Sequence, residues 1–215
     1  PSMSERPSGF QHCFVACAEK FKHEYSQVGI NLVVENTRRC CQAVARGELD
    51  FAESLHERVA TLAGVPVTAL DEVRRRTTFT PGARELVAEC LRRGWVVALV
   101  SGGFTEVVAP LAAELGITLF RANRLEVTDG LLTGRTTGQV VDRAYKAQTL
   151  REIAAEQGIA IEHTVAIGDG ANDLDMIGAA GIGIAFAAKP VVREQAPYSV
   201  DGPRLDAVLE IIDAV

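Results

Sequence analysis

An apolar run that stops at an acid between two glycines, with a second acid four residues later opening a helical pattern, leaves few architectures open. Residues 165–176 read VAIGDGANDLDM and have that form. The order is strand, tight loop, helix, and in an open parallel sheet such a loop lies at the carboxyl end of its strand, where ligands bind. Asp169 and Asp173 then face one crevice. Gly168 and Gly170 let the backbone turn there without a Cβ clash, so that a carboxylate points at a ligand and not into the core. Paired carboxylates beside backbone N–H groups suit a hard, oxygen-liganded cation and a phosphate. For Asp173 a structural alternative exists, an acid at a helix N-terminus, worth about 0.3–1 kcal/mol through the helix dipole. Asp169 has no such alternative, because nothing structural asks for an acid directly after Ala166, Ile167 and Gly168.

A chain of 215 residues with 47% hydrophobic content can bury one good core with a smaller insertion packed on it. Its formal net charge of -6 argues against a protein built to hold nucleic acid or an anionic membrane, so any phosphate handling has to be local. The longest unbroken apolar run, residues 95–100, falls far short of the roughly 18 residues of a membrane span. Residues 1–9, PSMSERPSG, are polar and turn-rich, lack the pattern of a secretory signal, and read as a loose tail. Five cysteines, an odd number with no C-x-x-C pair, predict a reducing, cytoplasmic setting over a disulfide framework.

Residues 13–17 (CFVAC) and 30–34 (INLVV) each read as a short strand or as part of a buried helix. Over residues 43–65 the reading is helical, with Leu49, Ala52, Leu55, Val59 and Leu62 on one face and Gly64 as the stop. A second short helix over residues 68–76 ends in the basic run Arg74, Arg75, Arg76, a solvated face. From Thr80 an α/β alternation begins. Thr80 and Pro81 form an N-cap and first-turn pair, Leu86, Val87, Cys90 and Leu91 a buried stripe, and Gly94 a stop. Residues 95–100 follow as a strand buried on both faces and end in Ser101, Gly102, Gly103. A helix over 105–115, a strand over 117–120, and a hairpin over 125–133 turning at Asp129 and Gly130 come next, the hairpin as an excursion from the sheet. A helix over 145–157, the strand 164–168, a strand over 181–186 and helices over 190–195 and 205–214 complete the chain.

Ser101 at the end of one strand, Lys146 at the start of a helix, and Asp169 with Asp173 after another strand converge on one edge of a doubly wound sheet. A hydroxyl, an ammonium, a carboxylate pair and glycine N–H groups together describe a site for a phosphoryl group and a magnesium ion. Taken singly, Ser101 could open a turn and Lys146 could lie on a helix surface; their joint order is what favours a site.

On these residues the chain resembles the phosphoserine phosphatases of the haloacid dehalogenase superfamily. The matching stretches are RGELDFAESLHERVATLAG at 46–64, VSGGF at 100–104, AYKAQTL around Lys146, and GDGANDLDM at 168–176. The resemblance implies an α/β fold, a Rossmann-like three-layer core under a small helical cap, and magnesium-dependent hydrolysis of a small phosphomonoester, O-phosphoserine, in serine biosynthesis, through a phosphoaspartate. It places the N-terminal tail and first core strand at residues 1–21, the cap at 22–76 and the core at 77–215. It implies that Ser101 and Gly102 bind the phosphoryl oxygens, Lys146 neutralises charge on phosphate and nucleophile, Asp169 ligates magnesium, Asn172 contacts the phosphate and Asp173 supports the metal shell. From the cap, Arg58 pairs with the substrate carboxylate, a task suited to a planar bidentate fork, and Phe51 shuts out water. Neither nucleic acid nor membrane is an expected partner, and a homodimer stays open.

One motif departs from the family. Its nucleophile lies in an Asp-x-Asp-Ser-Thr motif on the first core strand, and an ungapped count back from Arg58 puts that motif at residues 13–17, CFVAC. No aspartate precedes Asp50, and the cap acid falls near Lys22, with Glu19 and Glu24 beside it. Without the first aspartate there is no carboxylate to phosphorylate, and without the second no acid for the leaving oxygen. Cys40 to Arg46 has the C-x5-R spacing of cysteine phosphatases, but no glycine shapes a loop between them. Cys13 lacks a visible group to lower its pKa, and His12, Cys13, Cys17 and His23 match no common zinc spacing. Two functions of different class follow: a phosphatase, and a catalytically silent relative that binds a phospho-ligand or a partner.

Overall fold

The computed structural model describes the backbone of residues 13–16 and 51 and the whole of residues 52–215. Seven strands form one sheet: β1 (Cys13–Ala16), β2 (Val96–Phe104), β3 (Leu119–Thr128), β4 (Leu131–Thr137), β5 (Thr164–Gly168), β6 (Ile182–Phe186) and β7 (Tyr198–Val200), in the order β4-β3-β2-β1-β5-β6-β7. Every neighbouring pair is parallel except β3 with β4. The helices are α1 (Phe51–Ala60), α2 (Ala69–Arg76), α3 (Ala83–Arg92), α4 (Thr105–Glu114), α5 (Arg143–Glu156), α6 (Leu174–Ala179), α7 (Pro190–Arg193) and α8 (Val208–Ile212). From β1 the chain moves outward through β2 and β3, then crosses back to β5 on the other side of β1. The β1/β5 junction is therefore the topological switch point, whose carboxyl edge forms the ligand crevice of this class of sheet.

Strand alternation distributes the core between two layers. On one face Val97, Val165, Ile167 and Ile184 pack against Leu86, Val87 and Cys90 of α3 and Val208 and Ile212 of α8. On the other, Ala98, Val100 and Ala166 meet Ala147, Leu150, Ile153 and Ala154 of α5 and Met176 of α6. Val165 and Ile167 thus point one way and Ala166 the other, as the two-residue pleat requires. Covered on both faces, β5 and β6 have no exposed residue, which is why TVAIG and IGIAF read as continuous apolar runs. This is the three-layer α/β core that the sequence predicts.

Several boundaries differ from the sequence reading, each for a local reason. Helix α3 starts at Ala83, after Gly82 at φ 83°, and not at Thr80–Pro81, because the Pro81 carbonyl accepts the N–H of Leu205 at 2.7 Å. Leu91, expected in its buried stripe, is 43% exposed. Strand β2 continues through Ser101 to Phe104, with a register break between those two residues in its pairing with β3. Residues 119–123 of β3 pair with β2 and residues 124–128 with β4, so the hairpin runs on past the end of β2 while β3 stays continuous as a strand. Its turn is as expected, with Asp129 at φ 51° and Gly130 at φ 76°, the two left-handed residues of a tight hairpin.

Of the expected 43–65 helix, residues 51–60 are helical as α1, and residues 43–50 lie outside the described residues, like the rest of the cap before α1. Leu55 and Val59 of α1 pack on Leu125 and Leu132 of the hairpin, with Phe104 and Val140 alongside, so α1 sits against the segment that follows the Ser101 loop. Backbone bonds from residues 64–67 to Gly130 and Leu132 cover that part of the outer edge of β4. Among the described residues no helix is long and apolar enough to cross a membrane.

Candidate active site

Strand β5 delivers Asp169 to the crevice, and Asp173 holds the loop in shape. The Oδ2 of Asp173 accepts the N–H groups of Asp169, at 3.2 Å, and Gly170, at 3.0 Å. Its Oδ1 accepts from Lys146 Nζ at 2.9 Å. Lys146 and Asp173 are both fully buried. Asp173 is therefore the acid at the start of the helical segment, and it also pairs with Lys146. The glycines serve by absence of bulk. A Cβ at Gly168 would lie 2.4 Å from the Asp173 Cβ, and one at Gly170 2.4 Å from Asn172 Oδ1. Neither glycine has a left-handed φ, so the backbone freedom anticipated for them is not what the loop uses; close approach is.

Lys146 comes from α5, whose N-cap Asp142 accepts the N–H of Tyr145 at 2.7 Å. The ammonium has three protons, and the bond to Asp173 uses one.

Ser101 and Gly102 lie two strands from β5 on the same carboxyl edge, since β2 and β5 both run parallel to β1. Ser101 is 1% exposed, and its Oγ accepts the N–H of Gly103 at 3.0 Å. That bond uses a lone pair and leaves the hydroxyl proton available to a phosphoryl oxygen. The Gly102 carbonyl accepts from Asn123 Nδ2 at 2.8 Å, and Asn123 Oδ1 accepts the N–H of Val141 at 2.9 Å. Asn123 escaped the sequence reading; an Asn inside an otherwise β-forming run was the available signal.

Arg58 lies in the last turn of α1, half-buried, with Nε donating to the Ser54 carbonyl at 3.1 Å. No carboxylate pairs with it among the described residues. Phe51 is the first residue of the same helix, and Asn172 stands half-buried in the turn before α6. The residues offered as substitute nucleophile or zinc ligands, His12, Cys17, His23 and Cys40, lie outside the described residues. Cys90 is a core residue whose thiol burial pushes up to about 12, far from reactive.

The ungapped count puts the family's nucleophile motif at residues 13–17. Residues 13–16 do form the central strand, but Cys13 pairs with Thr164 and Val15 with Ala166. At about 3.3 Å per residue, position 13 stands roughly 13 Å short of the level of Gly168.

Residues 21–177 match the profile of the haloacid dehalogenase-like hydrolases. This chain belongs to that family. The match begins at residue 21, upstream of the 46–64 stretch that carries the resemblance in the sequence. A phosphoserine phosphatase from Streptomyces coelicolor is 55% identical over 170 residues, 79% of this chain and 42% of that protein. The chain thus spans less than half the length of that relative. One from Streptococcus thermophilus is 54% identical over 79% of each chain. Among solved structures, a phospho-aspartyl intermediate analogue of phosphoserine phosphatase superposes with a TM-score of 0.81 at 34% identity, over 94% of this chain and 99% of its own.

The described donor set fits a magnesium ion in part. Asp169 is a hard oxygen ligand, and magnesium is commonly held by one or two carboxylates with waters and substrate phosphate completing its octahedron. Among the described residues no group of three or more His, Cys, Asp or Glu could hold a metal without such help.

Proposed function

We propose that the chain carries the active site of a phosphomonoester hydrolase of the phosphoserine phosphatase type, with O-phosphoserine as its substrate. The observation that supports it most is the buried Lys146–Asp173 pair directly behind the Asp169 loop, on the sheet edge shared with Ser101. In this reading the Ser101 hydroxyl and the Gly102 N–H donate to phosphoryl oxygens, Asn172 adds a polar contact, and Lys146 offsets negative charge as phosphorus–oxygen bonds change. Asp169 would hold magnesium, which when bound screens the phosphoryl oxygens from an attacking group. Arg58 reads the substrate carboxylate and Phe51 closes the site to water.

A nucleophile and a leaving-group acid are expected from the chain before Asp50, where no aspartate occurs. That leaves a second reading for this polypeptide: a catalytically silent relative that binds a phospho-ligand or a partner. Phosphate release from O-phosphoserine, measured with and without magnesium beside binding by calorimetry, separates the two. Fast magnesium-dependent release supports the enzyme, binding without release supports the silent relative, and neither overturns the phosphoryl site. Arg58→Ala is expected to weaken phosphoserine binding about ten-fold or more and inorganic phosphate binding little. Equal loss for both ligands means that Arg58 does not read the carboxylate.

A further inference from the structure

An amide side chain buried within a strand has to find its hydrogen-bond partners nearby or forfeit them. Asn123 is 1% exposed, and its side-chain amide bonds to two different segments, at Gly102 and at Val141. The Gly102 carbonyl can only accept and the Val141 N–H can only donate, so the orientation of the amide is fixed by its partners.

The peptide between Gly102 and Gly103 is held at both ends. Its carbonyl goes to Asn123 Nδ2 at 2.8 Å and its N–H to Ser101 Oγ at 3.0 Å. Flanked by glycine on both sides, this peptide meets little steric resistance to flipping, so hydrogen bonds have to fix its direction. A flip breaks both bonds and turns a carbonyl oxygen away from the interior, where it would repel an anion. The other end of Asn123 holds Val141, the residue before Asp142, which caps the helix bearing Lys146. The strand is tied as well, because Thr105 Oγ1 donates to the Asn123 carbonyl at 3.1 Å.

We propose that Asn123 is a positioning residue for the phosphoryl site: it locks the Gly102–Gly103 peptide with its carbonyl turned inward and sets the spacing between that loop and α5. The proposal rests on the reading of Ser101 and Gly102 as phosphoryl ligands. Asn123→Asp tests it, because one carboxylate oxygen keeps the bond to Val141 while the other faces the Gly102 carbonyl with no proton to give. Inorganic phosphate binding is measured by calorimetry on the parent, on this variant and on Ile153→Val, a core change on α5 that controls for lost stability. We expect phosphate affinity to fall about ten-fold or more in Asn123→Asp and to stay within about two-fold in Ile153→Val. A parent that binds phosphate beside an Asn123→Asp variant that binds it equally well overturns the proposal alone. A parent that binds no phosphate overturns the phosphoryl-site reading and the proposal together. Amide exchange on the parent needs no variant to fold: the Gly103 N–H should be protected with or without phosphate, and free exchange there overturns the lock.

Discussion

Strands β1 and β5 are neighbours at the centre of the sheet, paired in parallel from Cys13 with Thr164 to Ala16 with Ile167, and they run to the same edge. Beyond β5 stand a glycine loop that carries Asp169 and a buried lysine locked to a second acid, Asp173. Beyond β1 the sequence offers no aspartate before Asp50. The contrast separates the groups proposed to bind phosphate from those that would carry the covalent chemistry. The β5 side is woven into the core, so it persists as long as the fold does. The β1 side depends on the identity of one or two residues that packing does not dictate.

The largest expected effect breaks the β5 side. Asp173→Ala removes the acceptor of two loop N–H groups and of a fully buried ammonium. Stripping one partner from a buried ion pair costs about 3–5 kcal/mol, and a loss of that size is expected in urea unfolding. Adding Lys146→Met should restore much of the stability, since an apolar replacement of both charges is often neutral, but should not restore phosphate binding. A single-variant loss under about 1 kcal/mol means that the pair does not hold the loop.

Supplying the β1 side should have the next largest effect, and two placements compete. Aspartates at positions 17 and 19 (Cys17→Asp with Glu19→Asp) should raise magnesium-dependent phosphate release from phosphoserine by about 10^3-fold, the scale on which nucleophiles show in mutant kinetics. Aspartates at 13 and 15 (Cys13→Asp with Val15→Asp) fall level with Thr164 and Ala166, within the sheet. They should lower stability and leave turnover unchanged. The reverse outcome would favour the ungapped count.

A smaller perturbation tests how tightly the loop and the lysine are coupled. In Gly168→Ala the new methyl meets the Cβ of Asp173, which cannot swing aside as a side-chain tip could. Overpacking of this kind costs about 1–3 kcal/mol, and phosphate affinity should fall with stability. Unchanged affinity would mean that Asp173 can shift without disturbing Asp169.

The sequence made one half of this contrast legible and part of the other. Val165, Ala166 and Ile167 announce a doubly covered strand because burial on both faces demands apolar residues throughout, and the acids after them stand out against that run. The lack of an aspartate before Asp50 is equally plain from residue identities alone. What stayed hidden depends on partners distant along the chain. Asn123 matters through Gly102 and Val141, and Gly168 through the approach of Asp173, neither of which leaves a periodic pattern. The helix expected from Thr80 starts later because Pro81 is tied to Leu205, a bond between opposite ends of the core. Register is hidden in the same way, since a count along the sequence cannot see which residues of β1 and β5 stand side by side.

The smallest expected effect lies one strand further out on the same edge. After β6 the chain passes through Ala187 at φ 44°, a left-handed backbone on a residue with a Cβ, while its N–H is held by the Val200 carbonyl at 2.7 Å. For an L-residue that region is unfavourable by about 1–2 kcal/mol, and Gly removes this penalty. Against it stands the extra freedom that Gly gives the unfolded chain, about 0.4–1 kcal/mol. The first effect is the larger, so Ala187→Gly should stabilise the protein by about 0.5–1 kcal/mol, seen as a higher urea midpoint at unchanged slope. Phosphate binding should not move, because the loop after β5 is fixed by its own bonds to Asp173. A destabilised variant would show that the Ala187 methyl is worth more to the packing beside Phe186 than its backbone angle costs.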